Sequence, residues 1–256
     1  MREGSFIWYE LMTGDTGAAE QFYRDVLGWT ATDTSVPGIA YTTFKAADVP
    51  VAGLMALSAE MRDAGAQPGW LGYVLADDVD ATAERLKTLG GAIHRPADDI
   101  PGVGRFAVVA ALDGAVFALF RPKDGNGPER SPMTPGHVGW HELMAGELES
   151  AFAFYGELFG WVRTEAIDMG SMGTYQLFAA RDGERAIGGM MTRPAEVPAC
   201  FWLYYFTVEA LDAAIERVTA GGGTLLNGPM EVPGGAWIGQ FLDPQGAMFA
   251  LVGMRR

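Results

Sequence analysis

The sequence predicts an α+β protein made of two tandem copies, each holding two β-α-β-β-β modules. Three observations carry this expectation: a repeat at a constant offset, a Pro/Gly-rich stretch between the copies, and an order of strand-like and helix-like apolar periodicity that occurs twice within each copy.

Residues 8–29 match residues 140–161 at an offset of 132, with ten of the 22 paired positions identical, from Trp8 and Trp140 to Gly28-Trp29 and Gly160-Trp161. The same offset returns downstream, where Trp70-Leu71, Asp80-Ala81, Glu84-Arg85, Gly90-Gly91, Pro101-Gly102 and Gly114-Ala115 reappear as Trp202-Leu203, Asp212-Ala213, Glu216-Arg217, Gly222-Gly223, Pro233-Gly234 and Gly246-Ala247. Between the copies, residues 122–136 are rich in Pro and Gly and lack a periodic apolar face, the composition of a linker. The expected organisation is therefore a first domain over 1–121, a linker over 122–136 and a second domain over 137–256.

Within the first copy, residues 6–12 combine β-formers and aromatics and read as a strand. Gly14-Asp15 can cap a helix whose apolar positions Ala18, Ala19, Phe22, Tyr23 and Val26 fall at helical spacing before Gly28 stops it. Strands are expected over 30–33, 40–45 and 50–57. A second round follows, with a strand over 70–76, a helix over 79–89 ended by Gly90-Gly91, and strands near Ile93 and over 105–111 and 115–120. One module has a single helix to cover one sheet face, so the other face must be buried by pairing or left as a cup. The expected fold is thus four modules forming cup-shaped mixed sheets, with helices on the convex side.

Composition narrows the function. The chain of 256 residues carries a formal charge of −14, which argues against nucleic acid and against an anionic membrane surface, since both select for Lys and Arg. Cys200 is the sole cysteine, so no intramolecular disulfide forms; it opens the apolar run 200–206 and is expected to be buried and inert. No apolar stretch reaches the roughly 20 residues of a membrane span, and the N-terminus lacks a signal-type apolar region. The default location is the cytoplasm, and a homodimer is left open.

Glu10-Leu11-Met12 with Asp15, then Phe22-Tyr23 and Leu27-Gly28-Trp29, together with their counterparts from Glu142 to Trp161, resemble the opening of vicinal oxygen chelate domains; 243–251, Asp-Pro-Gln-Gly-Ala-Met-Phe-Ala-Leu, resembles their closing strand. This superfamily includes glyoxalase I, extradiol dioxygenases and metal-free bleomycin-resistance proteins. The resemblance covers both copies and implies fold more strongly than reaction. In the enzymes, paired modules surround one divalent metal held by His, Gln or Glu from the first and last strands of the modules. Carried over, those positions fall on Trp8 and Trp140, Leu71 and Leu203, Ala118 and Ala250, and near Gly53 or Leu54 and Gly189 or Met190. None of these side chains offers a metal donor. The resemblance therefore implies a cup with no metal ligand set and no cofactor.

Strand alternation places Trp8, Glu10 and Met12 on the inner face and Tyr9 and Leu11 on the outer one; in the second copy Trp140, Glu142 and Met144 face inward and His141 outward. The same parity turns Tyr73 and Tyr205 inward. Trp237 stands where the first copy has Arg105, which extends the aromatic wall without a positive charge, in a hairpin opened by Pro233-Gly234-Gly235. His94 and His137 are expected at the surface. The expected ligand-binding residues are Trp8, Glu10, Tyr73, Trp140, Glu142, Tyr205 and Trp237, with Glu142 as the candidate acid–base group and an aromatic small molecule, neutral or cationic, as the partner. Two rivals stand beside this reading. One is a metal-dependent glyoxalase-like lyase or dioxygenase with a rearranged site built on Glu142 and His141; the other is an interaction protein whose cups are plugged by the two tryptophans.

Overall fold

The computed structural model describes residues 2–124, 133–181, 183 and 185–255. The centre of the expected linker, 125–132, lies outside the described residues.

Four modules follow one another. The first is β1 (Phe6–Thr13), α1 (Thr16–Leu27), β2 (Thr30–Asp33), β3 (Thr42–Ala46) and β4 (Val49–Ala56), followed by a short helix, α2 (Ala59–Asp63). The second is β5 (Gly69–Leu75), α3 (Val79–Thr88), β6 (Ala92–Ile100), β7 (Gly104–Ala110) and β8 (Val116–Pro122). The third is β9 (Val138–Ala145), α4 (Leu148–Phe159), β10 (Val162–Asp168), β11 (Thr174–Ala179) and β12 (Gly188–Thr192); the fourth is β13 (Phe201–Ala210), α5 (Leu211–Ala220), β14 (Thr224–Glu231), β15 (Trp237–Leu242) and β16 (Met248–Met254). In each module the first and last strands pair parallel and the others antiparallel. Strand order is β2-β3-β4-β1-β5-β8-β7-β6 in one mixed sheet and β10-β11-β12-β9-β13-β16-β15-β14 in the other.

Local signals account for the helices. The Asp15 carboxylate accepts from the Ala18 amide at 3.0 Å to start α1. Gly28 ends α1 at φ 70°, and Gly160 ends α4 at the same angle, a left-handed conformation that glycine adopts without a Cβ penalty. Ala19, Phe22, Tyr23 and Val26 are buried on α1 at the expected spacing, while Ala18 stays exposed. Among the described residues no helix is long and apolar enough to cross a membrane.

The offset of 132 does not hold throughout. Phe178 stands for Phe44 and Gly189 for Gly53, so the second copy gains residues before β11 and β12. The first copy regains them through α2, which has no counterpart among the described residues of the second, and Trp70 and Trp202 are again in step.

By contact the chain divides into two compact units: Met1–Ile7, Gly72–Glu129 and Trp140–Trp202 form one, and Trp8–Leu71, Arg130–Gly139 and Leu203–Arg256 form the other. Each unit is built around a tyrosine on a helix. In the first unit Tyr155 of α4 is buried, its hydroxyl accepts from the Trp202 indole at 3.1 Å, and Trp161 stacks on its ring at 5.0 Å. Trp161 also stacks on Phe178 at 4.4 Å and donates to the Gly4 carbonyl at 2.9 Å. In the second unit Tyr23 of α1 repeats the pattern with Trp70 at 3.0 Å and Trp29, and Trp29 donates to the Gly136 carbonyl at 2.9 Å. In this tyrosine cluster the second unit adds a bond: the Tyr23 hydroxyl donates to buried Asp243 at 3.1 Å, where the first copy has Ala111. Burial, then the nearby Asp243 charge, holds the Tyr23 phenol well above its ordinary pKa, so it stays protonated.

Two expectations are corrected. His137 is buried, because its carbonyl accepts from the Thr207 amide and its amide donates to Thr134, which draws the segment before β9 against β13. Cys200 is half-buried, since it precedes β13 and lies outside the sheet; partial burial and then the Asp113 carboxylate push its thiol up, which keeps it unreactive. His94 is exposed, as expected.

Candidate functional site

The site begins with the alternation on β1 and β9. Tyr9 and Leu11 are buried on one face of β1, and Trp8 and Met12 are half-buried on the other; His141 and Leu143 against Trp140 and Met144 repeat this on β9. Glu10 and Glu142 lie on the tryptophan face, and each is only 7 % exposed. A carboxylate so buried needs partners.

Its partner is a tyrosine that stands out of step with the repeat offset, Tyr41 in the first copy and Tyr175 in the second. In one unit the Trp140 indole donates to the Tyr175 hydroxyl at 2.8 Å, and that hydroxyl donates to Glu142 Oε2 at 3.0 Å. In the other unit the Trp8 indole donates to the Tyr41 hydroxyl at 2.9 Å, and the Tyr41 hydroxyl is hydrogen-bonded to Glu10. The chemistry permits one direction only: an indole N–H donates, a phenol accepts and donates, and an ionised carboxylate accepts. Burial, and secondly the Glu10 charge, drives the Tyr41 pKa up, so this phenol is a proton-holding donor and not a nucleophile.

Glycine makes room for each tyrosine. Glu10 is in register with Gly53 on β4, and Glu142 with Gly189 on β12. A Cβ at Gly53 would lie 1.8 Å from the Tyr41 hydroxyl, and one at Gly189 would lie 2.3 Å from the Tyr175 ring. The ring therefore lies over the backbone at a position where the resemblance expects a metal-binding side chain. Further along the same face Met12 pairs with Met55 and Met144 with Met191, which adds flexible, polarizable thioethers.

His141 takes no part in this face. It stacks on Phe6 at 4.1 Å, and its Nδ1 lies 2.6 Å from the Ile187 carbonyl. Burial lowers its pKa to about 4, so the folded protein holds it neutral. The unfolded chain takes up the proton near pH 6.5 and the folded protein only near pH 4, so stability falls as pH falls through that window, by up to about 3 kcal/mol. Urea unfolding of the parent and of His141→Phe at pH 7 and pH 4.5 measures this: the parent is expected to lose more stability than the variant.

The remaining expected residues lie elsewhere. Tyr73, in the unit with Trp140, is buried with its ring edge-on to Phe120 at 5.9 Å. Tyr205 and Trp237 belong to the unit with Trp8. The Tyr205 hydroxyl accepts from Gln240 Nε2 at 2.8 Å. Trp237 does not present a charge-free wall: the Arg255 guanidinium lies over its ring at 4.9 Å, so the charge missing at position 105 is restored from the end of β16. Arg105 itself is bound to Asp80 and Asp99. Among the described residues no group of three or more His, Cys, Asp or Glu is placed to hold a metal. Two clefts of about 300 and 410 Å³ are lined by other residues, none of them from the two Trp–Tyr–Glu sets.

The model of the Glyoxalase/Bleomycin resistance protein/Dioxygenase superfamily matches residues 5–127 and again 134–251. The chain belongs to this superfamily. Among its relatives, "Anthracycline biosynthesis protein DauV" of Streptomyces sp. strain C5 is 33% identical over 268 residues, covering 98% of this chain and 94% of that protein. "Putative glyoxylase CFP32" of Mycobacterium tuberculosis is 30% identical over 253 residues, covering 98% and 95%. Among solved structures, homoprotocatechuate 2,3-dioxygenase from Arthrobacter globiformis matches with a TM-score of 0.69 at 14% identity, over 99% of this chain and 80% of that one. That likeness is one of fold. Among the described residues the donor chemistry does not fit the divalent ion of the enzymes: the inward glutamates of β1 and β9 are each hydrogen-bonded to a tyrosine and in register with a glycine, with no further His, Cys, Asp or Glu grouped beside them.

Proposed function

We propose that this protein binds a planar aromatic or conjugated small molecule, neutral or cationic, without a catalytic metal. The observation that carries the reading is the duplicated Trp–Tyr–Glu set, in which tyrosine over glycine takes the place of a metal ligand. An indole and a phenol edge supply flat apolar surface, and offset stacking adds on the order of 1 kcal/mol beyond area burial. A buried carboxylate disfavours an anion and favours a cation, and a cation over tryptophan adds about 0.5–2 kcal/mol. A relative named for anthracycline biosynthesis, matched along almost its whole length, agrees with a flat aromatic ligand. Glu142 and Trp140 are the residues on which binding depends, with Glu142 also the acid–base group should the ligand be turned over. The composition supports a cytoplasmic protein.

The rival metal-dependent lyase finds support in the name of the mycobacterial relative. Its expected pair, Glu142 and His141, occupies successive positions on β9, and their side chains take opposite faces. One experiment separates the two. Protein purified without added metal is assayed for Zn, Ni, Fe and Mn and then titrated, by tryptophan fluorescence, with flat cations, anions and neutral aromatics. The expected result is well under one equivalent of metal, tightest binding by a cation or neutral aromatic, and affinity lowered about tenfold or more, roughly 1.4 kcal/mol, in Glu142→Gln and Trp140→Ala. A stoichiometric ion bound through Glu10, Glu142 or His141, or strongest binding by an anion, refutes the proposal.

A further inference from the structure

We propose that the cleft of about 410 Å³ in the unit with Trp8 binds an organic cation, an ammonium or guanidinium group on an apolar body, with Glu209 as its ion-pair partner. This site is separate from the Trp–Tyr–Glu sets and does not rest on the reading given for them.

All residues that line the cleft belong to one unit. Met133, Val208, Ala236 and Met254 give it an apolar lining, and Gly253 adds no side chain. Glu209 is its one ionisable lining residue. Met133 and Met254 are half exposed, and their flexible thioethers adapt to the shape of an apolar body. The volume lies within the range of about 300–1,000 Å³ typical of small-molecule sites. The other cleft, of about 300 Å³, sets Arg85 and Arg181 against Glu3, Asp77 and Asp78, so it selects for neither sign of charge.

The duplicated sequence shows what the Glu209 position accepts. At the offset of 132, Asp77 stands for Glu209 and Arg121 for Gly253. In the first copy the Arg121 guanidinium donates to Asp77 at 2.6 Å. The second copy has no room for that arginine, because a Cβ at Gly253 would lie 2.4 Å from the Val208 carbonyl oxygen. The register of β13 on β16 shifts between Val208 and Ala210, which makes Glu209 the extra residue of a bulge, a feature that re-aims a side chain. Arg255, the next arginine along the chain, is taken up by Asp212 at 3.2 Å and by the Trp237 ring. Among the described residues no ion pair or hydrogen bond engages the exposed Glu209 carboxylate. A carboxylate whose counterpart holds a guanidinium on its own chain thus stands without one, beside an apolar cleft, and a cation from outside supplies it.

The test uses the full chain labelled with carbon-13 at the methionine methyl groups, titrated with hexylguanidinium, hexanol and hexanoate, which share one apolar body. Hexylguanidinium is expected to shift the signals of Met133 and Met254, assigned through Met133→Leu and Met254→Leu, and to bind about tenfold or more tightly than the other two. Glu209→Gln is expected to reduce its affinity to that of hexanol and to leave hexanol binding unchanged. Equal binding of all three probes by the parent, or an unchanged preference in Glu209→Gln, overturns the inference. So does a response confined to Met12, Met55, Met144 or Met191, which places the cation at the Trp–Tyr–Glu sets instead, and so does the absence of any response.

Discussion

Gly189→Ala is expected to abolish ligand binding at the second Trp–Tyr–Glu set and to cost about 2 kcal/mol of stability. The new methyl group would lie 2.3 Å from Tyr175 Cε1 and Cζ, so the ring must leave. Nothing in the backbone forbids alanine, because Gly189 lies in a regular strand and is not among the residues of positive φ. The cost is therefore in the hydrogen bonds: Trp140 loses its acceptor and Glu142, 7 % exposed, loses the phenol that donates to it. The measurement is a double-mutant cycle in urea with Tyr175→Ala. In that background Gly189→Ala is expected to be close to neutral, since the ring it would strike is gone. An equal loss in both backgrounds would mean that the damage lies in the strand and not in the tyrosine.

Trp161→Ala is expected to be the most destabilising single change in its unit, by about 3–5 kcal/mol. The indole is buried, stacks on both Tyr155 and Phe178, and donates to the Gly4 carbonyl. Removing it leaves a void among the rings of Tyr155, Phe159, Phe178 and Trp202, against a total stability of only about 5–15 kcal/mol for a typical protein. Trp161→Phe keeps the stack and loses the hydrogen bond, for an expected cost of about 1–2 kcal/mol. Denaturant midpoints of the two variants give the answer directly. Equal losses would assign the effect to the Gly4 contact and not to packing.

The legibility of this protein differs from level to level. The capping residues Asp15, Gly28 and Gly160 lie next to the elements they bound, and local chemistry reports such features. Trp8, Glu10, Trp140 and Glu142 were singled out by strand parity and by the positions the family resemblance assigns. Tyr41 and Tyr175 were missed because loop insertions put them out of step with the offset of 132. A signal was present all the same: Tyr41-Thr-Thr-Phe44 and Tyr175-Gln-Leu-Phe178 share a Tyr-x-x-Phe pattern, each followed by the glycine that its tyrosine covers. Arg255 over Trp237 was invisible, being 18 residues further along the chain.

By itself the sequence determined the four modules, the duplication and the superfamily, and it put Trp, Leu, Ala and Gly at the positions where the resemblance expects metal ligands, because each depends on residue type, spacing or periodicity within a short window. Only the tertiary structure decided which modules form a compact unit, since the first packs with the fourth and the second with the third, and every module carries the same apolar pattern. It also decided what surrounds the two inward glutamates. A carboxylate on one strand, a phenol two strands away and an indole beside the carboxylate meet only when strand register aligns Glu142 with Gly189, and register is set by sheet pairing across residues distant in the chain.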